Sequence, residues 1–422
     1  MNDFSQRKER TMRIAVVGGG VVGLISAYQL VRSGHEVTVF EKHRIGAGAS
    51  TGNACLVNPG SSFPVPAPGG FSQAVRSFGG GTALLIRPHL RPSYVRFLLG
   101  MARASNQRVF DRQTDAYSWL GREALAAFDR LDDTGLEYER HNRGLAEVFT
   151  ERDQRDRYLQ QYQRVSWMAP KVRAVEGNEL ATLEPALADV YRFGVWTQEA
   201  RQVNPTSLMQ ALRDAIVTAG GAVREETAVR RLLRSSSGQV SGVSTSSGEF
   251  TADRVVIAAG YTSPELTRAL GLRLCMEGGK GYSVDYVAPG HGIVGTVILE
   301  DSHLALSVFG DRLRVTSFME FGGDSAVKDR AISYITSHFE QAFPGVDSSQ
   351  RTAGWAGFRP MAPDGMPVIG SVPGAPEVIL ATGHAMLGLS LGAITGEVIR
   401  DLVDGTLDEA SIPKEFSPGR FA

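Results

Sequence analysis

The chain has 422 residues, with 44 Lys and Arg against 45 Asp and Glu, for a formal net charge of −1. That balance leaves no global field to gather nucleic acid or an anionic membrane surface. Hydrophobic residues at 42% and charged residues at 21% exclude a disordered or fibrous architecture, and the length suits two domains, each with its own core.

Residues 13–17 (RIAVV) are a short β-branched run, predicted as a buried parallel strand. The glycine turn 18–23 follows. A helix then carries Val22, Ile25, Leu30 and Val31 inward and stops at Gly34, and a second strand covers 36–40. Strand, turn, helix and strand within about 30 residues is the size of a βαβ unit. Residues 58–81 are too rich in Pro and Gly to continue it and read as a crossing between layers. The stretch to about 185 is largely helical by pattern. Within it, residues 92–104 form an amphipathic helix with Tyr94, Val95, Leu98 and Leu99 on one face and Arg91, Arg96 and Arg103 around it. Such a helix either packs on the core or touches a membrane peripherally. Asn204 as cap and Pro205 in the first turn open a helix that ends at Gly220, with Leu208, Leu212, Ala215 and Ile216 on one face. Residues 222–259 read as a small meander with a return strand to the first sheet, and 280–321 as further strands. A last helix with Ile394, Val398, Ile399 and Leu402 closes the fold.

The two cysteines, Cys55 and Cys275, cannot build a disulfide framework and suit a reducing compartment. No apolar signal region precedes the glycine turn, and no run of about 18 apolar residues occurs. A cytoplasmic location is therefore expected, with any membrane role peripheral on the inner face. The eight histidines, including His35, His89 and His384, show no metal-ligand spacing, so no metal site is expected. They read as surface or loop residues, His384 excepted.

Gly18-Gly19-Gly20-Val21-Val22-Gly23 fits G-x-G-x-x-G. In that motif the glycines allow a tight turn, close approach of backbone to a pyrophosphate and close helix packing. Alone it is a weak signal. Here it follows a strand and opens a helix whose N–H groups and dipole suit a diphosphate. Glu41 ends the next strand, where a carboxylate accepts from ribose hydroxyls and repels a 2′-phosphate. The motif by itself does not separate FAD from NAD. Gly48-Ala49-Ser50-Thr51-Gly52 matches the G-x-S-x-G hydrolase elbow only in letters, because it follows a loop where the elbow must join strand to helix.

Beyond Glu41 the chain carries GAGASTGN at 46–53, VVIAAGYTS at 255–263, GFRPMAPDGMPVIG at 357–370 and TGHAMLGLSLG at 382–392. In this order, over nearly the whole chain, these segments resemble the FAD-dependent amino-acid oxidoreductases that include D-amino-acid oxidase, glycine oxidase and sarcosine oxidase. NPG at 58–60, KGYS at 280–283, RPMAPDG and GHAMLG are most similar to the bacterial D-amino-acid dehydrogenase branch, of the small-subunit type.

The resemblance implies non-covalent FAD. It sets Gly18, Gly20, Val21, Val22 and Gly23 at the diphosphate and Glu41, with Lys42 beside it, at the ribose. Ser50, Thr51 and Asn53 would meet the second phosphate and the flavin edge. Ala259 and Gly260 would pass beside the adenosine half, and Gly383, His384, Leu387 and Gly388 would line the flavin pyrimidine edge. Arg359 would hold the substrate carboxylate through two parallel charged hydrogen bonds, the alternative being a structural ion pair with Asp364. Tyr282 would donate to the same carboxylate, or is a core tyrosine. His303 stands where related dehydrogenases often carry tyrosine, and Cys55 where the family usually has glycine.

The implied fold class is α/β, a discontinuous Rossmann-like FAD domain (12–80, 201–270, 351–422) with a second α+β substrate domain carrying an antiparallel sheet (81–200, 271–350). The implied reaction is oxidative deamination of a D-amino acid, by hydride transfer from the α-carbon to flavin N5. The imino acid is hydrolysed to a 2-oxo acid and ammonia, and electrons pass to a quinone or carrier. An oxygen-using glycine or sarcosine oxidase and a D-proline or hydroxyproline dehydrogenase remain open. A nicotinamide dehydrogenase and a flavoprotein acting on tRNA are more distant alternatives, the latter disfavoured by the near-neutral charge.

Overall fold

The computed structural model describes residues 11–61, 63–68, 84–165 and 167–422. The domain boundary expected at residue 80 and much of the Pro/Gly-rich crossing lie outside them.

The apolar runs near the N-terminus do what their composition dictates. Arg13–Val17 lies inside a six-stranded sheet ordered Ala222–Arg224, Glu36–Phe40, Arg13–Val17, Arg254–Ile257, Ala375–Thr382, Val368–Val372. The first five strands are parallel and the last is antiparallel to its neighbour. Parallel strands need both faces covered. One face packs the helices Val21–Arg32, Pro205–Thr218 and Gly392–Asp404 into a common core. The other packs under the meander of Val229–Arg234, Val240–Thr245 and Gly248–Thr251. As the pattern predicts, Asn204 caps its helix, its side-chain oxygen accepting from the Thr206 and Ser207 N–H groups at 3.0 and 3.3 Å.

The second sheet runs Trp355–Met361, Glu277–Val287, Arg312–Phe321, Leu304–Phe309, Thr296–Leu299, Leu145–Phe149, Phe193–Thr197, Val172–Glu176, with Leu84–Ile86 beside Arg312–Phe321. It is antiparallel except where Thr296–Leu299 meets Leu145–Phe149 and where Leu84–Ile86 joins. The helix Asp329–Ala342 covers one face, packing Ile335 and Phe339 against Val284, Tyr286 and Val315. The opposite face meets the 51–55 loop: Ser307 Oγ donates to the Ala54 carbonyl at 2.6 Å, and Arg314 Nη1 donates to that of Thr51.

Three elements depart from the sequence reading. The helix Gln107–Asp132 falls inside the 81–200 stretch, yet its Tyr117, Leu120, Ala124 and Phe128 share the first core with Leu30 and Ile394. The helix Pro92–Ala104 buries Tyr94, Phe97, Met101 and Ala104, so its inward face is offset from the one expected and leaves Val95 and Leu99 exposed. His35, expected at the surface, is buried because its Nε2 pairs with Asp404 Oδ1 at 2.7 Å, tying the end of the first helix to that of the last.

Candidate functional site

The glycine turn is built by contacts that tolerate no side chain. Gly18 has φ +115°, and a Cβ there would overlap the Ala258 carbonyl of the adjacent parallel strand. A Cβ on Gly23 would strike the Gly18 carbonyl, so this glycine lets the helix sit tightly on the turn. Gly20 opens the helix without a side-chain cap of its own. Instead Ser50, from the second glycine-rich loop, accepts from the Val21 N–H at 3.1 Å. Glu41 folds back over the turn, accepting from the Gly19 N–H at 2.8 Å and from the His43 N–H at 3.0 Å. Lys42 beside it is exposed. A carboxylate at the strand end and a hydroxyl at the helix N-terminus thus face the same turn.

The 46–55 loop is held on both sides. Thr51 Oγ1 donates to the Gly46 carbonyl at 2.6 Å, and Asn53 Oδ1 accepts from the Cys55 N–H at 2.7 Å. Cys55 adopts φ +56°, a left-handed conformation that glycine would take without the cost of a Cβ. Burial pushes its thiol up to about 11, so it stays protonated at neutral pH.

At the same C-terminal edge of the first sheet, Ala259 packs beside Gly18, and Gly260, at φ +60°, has its carbonyl held by Ser263 Oγ at 2.8 Å and Thr382 Oγ1 at 3.0 Å. Gly383 (φ +77°) and His384 then turn the chain toward the second sheet, where His384 bridges to Met361 and the Ala385 N–H donates to the Pro360 carbonyl at 3.0 Å. The Leu387 N–H closes the turn on the His384 carbonyl, and Gly388 lies against His384 and Val22. The His384 ring is buried with Nε2 3.0 Å from Thr395 Oγ1, and desolvation lowers its pKa to about 4, so it is neutral at physiological pH. The predicted cofactor residues of four separate segments therefore converge on the start of the first helix, and the last of these turns abuts Arg359.

Arg359 pairs with Gly279 across the two strands, and its guanidinium leans over Gly281. A Cβ there would overlap the guanidinium, so glycine lets Arg359 lie against the strand in this position. Nη1 donates to the Phe318 carbonyl at 2.7 Å. Phe318 sits at a register shift in its strand with φ +71°, and this bulge turns its carbonyl to the guanidinium. The alternative ion pair with Asp364 does not form, because Asp364 pairs with Arg420 at 2.8 Å. Among the described residues Arg359 has no carboxylate partner, and desolvation alone pulls its pKa down, to about 10, leaving it charged at neutral pH. A largely desolvated cation with only neutral acceptors, the Phe318 carbonyl and, weakly, Met319 Sδ at 4.0 Å, is an anion site in waiting.

Tyr282 does not join it. Residues alternate across a strand, so Tyr282 points away from the face of Gly281 and Arg359 and into the core under the helix Asp329–Ala342. Its hydroxyl donates to Glu320 Oε2 at 2.8 Å, and Lys280, fully buried, lies 4.8 Å from its ring centre and donates to the Ala326 carbonyl. This corrects the expectation of a shared carboxylate contact: the tyrosine belongs to a buried Lys280–Tyr282–Glu320 network that the exposed Arg87 side chain joins from the surface through Glu320. His303 lies on an exposed turn with φ +52°, its carbonyl accepting from Ser317 Oγ at 2.9 Å, and no described contact brings its ring to Arg359. Sequence reasoning missed Trp355, which shares the Arg359 face, and the Phe318 bulge. The first had a signal in the alternation W-x-G-x-R over 355–359; the second had none, since a non-glycine left-handed residue is invisible in sequence.

A family model described as FAD dependent oxidoreductase matches residues 13–402. The chain belongs to this family. It is 34% identical over 428 residues to a D-amino acid dehydrogenase of Cereibacter sphaeroides, with 97% of each chain covered. It is 31% identical over 423 residues to a D-amino acid dehydrogenase of a Methylobacterium species, covering 97% of this chain and 99% of that one. Among solved structures, glycine oxidase from Bacillus cereus superposes with a TM-score of 0.75 at 21% identity, over 95% and 97% of the two chains. L-proline dehydrogenase from P. horikoshii superposes with 0.73 at 18%, over 97% and 98%. These two likenesses establish the fold. The residues present fit FAD: a turn with no room for a Cβ at Gly18 or Gly23, a carboxylate over it, and small-residue loops leading from it to a charged side chain.

Proposed function

We propose that the chain catalyses FAD-dependent oxidative deamination of D-amino acids and acts as a dehydrogenase. The observation that carries the substrate class is Arg359, a guanidinium with no carboxylate partner among the described residues, set beside the turn that ends the cofactor sheet. The D-amino acid dehydrogenase name of relatives above 30% identity over nearly full length supports the reaction and the chirality.

In this reading the turn 18–23 and Glu41 hold the adenosine diphosphate, with Lys42 flanking the ribose and Ala259 and Gly260 beside the adenosine. Ser50, Thr51 and Asn53 reach toward the flavin, and backbone of Gly383, His384, Leu387 and Gly388 lines its pyrimidine edge. The cofactor domain is assembled from 12–80, 201–270 and 351–422 and the substrate domain from 81–200 and 271–350, with Gln107–Asp132 docked on the former. Arg359 anchors the substrate carboxylate and so fixes the α-carbon. Met319, Met361 and Phe321, packed around Gly279, exclude water from that side. His384 is neutral and engaged with Thr395, so it positions backbone and does not serve as a base. When bound, the flavin supplies the hydride acceptor, and this chain supplies orientation. The imino acid product is hydrolysed to the 2-oxo acid and ammonia.

A dehydrogenase needs an electron acceptor, a quinone or a carrier. No helix among the described residues is long and apolar enough to cross a membrane. Exposed Leu90, Val95 and Leu99 beside Arg91, Arg96 and Arg103 support a peripheral contact on the cytoplasmic face. The test is anaerobic bleaching of the bound flavin by a panel of D- and L-amino acids and secondary amines. Bleaching by D-amino acids with little peroxide formed in air is the expected result. Bleaching only by L-amino acids, or stoichiometric peroxide, overturns the assignment.

A further inference from the structure

We infer that Trp355 is the specificity-determining residue beside Arg359, the wall that limits the length of the amino-acid side chain the site accepts. This rests on the reading of Arg359 as the carboxylate anchor. Strand register places the two on one face: Trp355 pairs with Ser283, Gly357 with Gly281 and Arg359 with Gly279. The two residues between them that lie on this face, Gly357 and Gly281, are direct cross-strand partners and carry no side chains. The indole leans over Gly357 and the guanidinium over Gly281, so the two groups stand side by side on a glycine floor. From the other direction the indole presses on Gly52, where a Cβ would overlap its six-membered ring. Trp355 is therefore clamped between the second sheet and the 50–53 loop that the cofactor reading sets at the flavin.

The same face continues beyond Trp355. Two residues past its partner Ser283 lies Asp285, held by Arg314, and then Val287. These line a cavity of about 440 Å³ together with Cys55, Phe309 and Thr352. Toward Gly279 the space beside Arg359 is closed by Met319, Met361 and Phe321. Along this face the room for a substrate side chain thus ends at the indole, and the cavity lined by Asp285 and Val287 lies farther along the same face. A flat ring of this size, fixed by glycines on two sides, discriminates by overlap: a short side chain rests on it, and a long or aromatic one collides.

The experiment uses the holoenzyme and the variants Trp355→Ala and Trp355→Phe. Binding of acetate and of indole-3-acetate to the oxidised protein is read from the shift of the flavin spectrum, and kcat/KM is measured for D-alanine and D-phenylalanine. Trp355→Ala should tighten indole-3-acetate relative to acetate, and raise the D-phenylalanine to D-alanine ratio of kcat/KM, by about tenfold or more. The change should sit mainly in KM. Trp355→Phe should move both ratios in the same direction by less, and it tests the inference even if the alanine variant fails to fold. Unchanged ratios in the folded variants overturn the inference. Failure of acetate to perturb the wild-type spectrum overturns instead the role of Arg359, and the inference with it.

Discussion

Replacing Arg359 by leucine separates a substrate anchor from a structural arginine, because the two roles predict opposite effects on stability. The guanidinium makes one close hydrogen bond, to the Phe318 carbonyl at 2.7 Å, worth about 1 kcal/mol net, and a long, weak one to Met319 Sδ at 4.0 Å. Against this, burial lowers its pKa from 12.5 to about 10. A base whose folded pKa is depressed is less favourable charged in the fold than in the unfolded chain, here by up to about 3 kcal/mol at 1.36 kcal/mol per pKa step. Removing the charge should therefore leave the holoprotein at least as stable as wild type. A bound carboxylate, by contrast, would lose two charge-assisted hydrogen bonds, together worth about 3 to 4 kcal/mol, or a 100- to 1000-fold weakening. Thermal melting gives the first quantity. Acetate titration of the flavin spectrum and kcat/KM on D-alanine give the second. A melting temperature lowered by more than about 5 °C with acetate affinity retained would refute the reasoning.

Gly18→Ala should abolish retention of FAD while leaving the second sheet intact, since its Cβ overlaps the Ala258 carbonyl at a φ of +115°; the flavin-to-protein absorbance ratio of the purified variant checks this. Glu41→Ala should weaken FAD by about 1 to 3 kcal/mol through loss of charged ribose hydrogen bonds, measured by titrating apoprotein; an unchanged affinity removes Glu41 from the site. His384, neutral in the fold with its pKa lowered to about 4 from 6.5, makes the unfolded chain bind more protons between those values. Stability should therefore be complete above pH 6.5 and fall by about 3 kcal/mol as pH drops toward 4. His384→Gln should lack that part of the acid sensitivity in urea unfolding at pH 7 and pH 4.5, and an identical pH dependence counts against the buried neutral imidazole.

The cofactor half was legible because its signals are local and steric. A β-branched strand, glycines at 18, 20 and 23, a helix and an acidic residue at 41 lie within a stretch that folds on itself. The Asn204-Pro205 cap is equally local. The substrate half was legible only in outline. Arg359 was found by resemblance, but its partners come from strands 40 to 80 positions away, set by a register that sequence does not display. Tyr282 shows the cost: its motif was recognised, yet one residue of alternation decides which face it serves, and Glu320, invisible to the motif, holds its hydroxyl on the other side. His303, placed by the same resemblance, stands on a turn whose left-handed geometry no motif displays. The offset face of the helix Pro92–Ala104 has a simpler cause: the stripe contains more apolar residues than the core beneath it can cover.

Every functional step above requires the glycine turn and Glu41 to grip the adenosine diphosphate of a flavin. Titration of apoprotein with FAD, FMN and ADP tests this most directly. One FAD should bind per chain, ADP should displace it, and FMN should bind more weakly by about two orders of magnitude or more for want of the adenosine. FMN bound as tightly as FAD, or no competition from ADP, would contradict that grip.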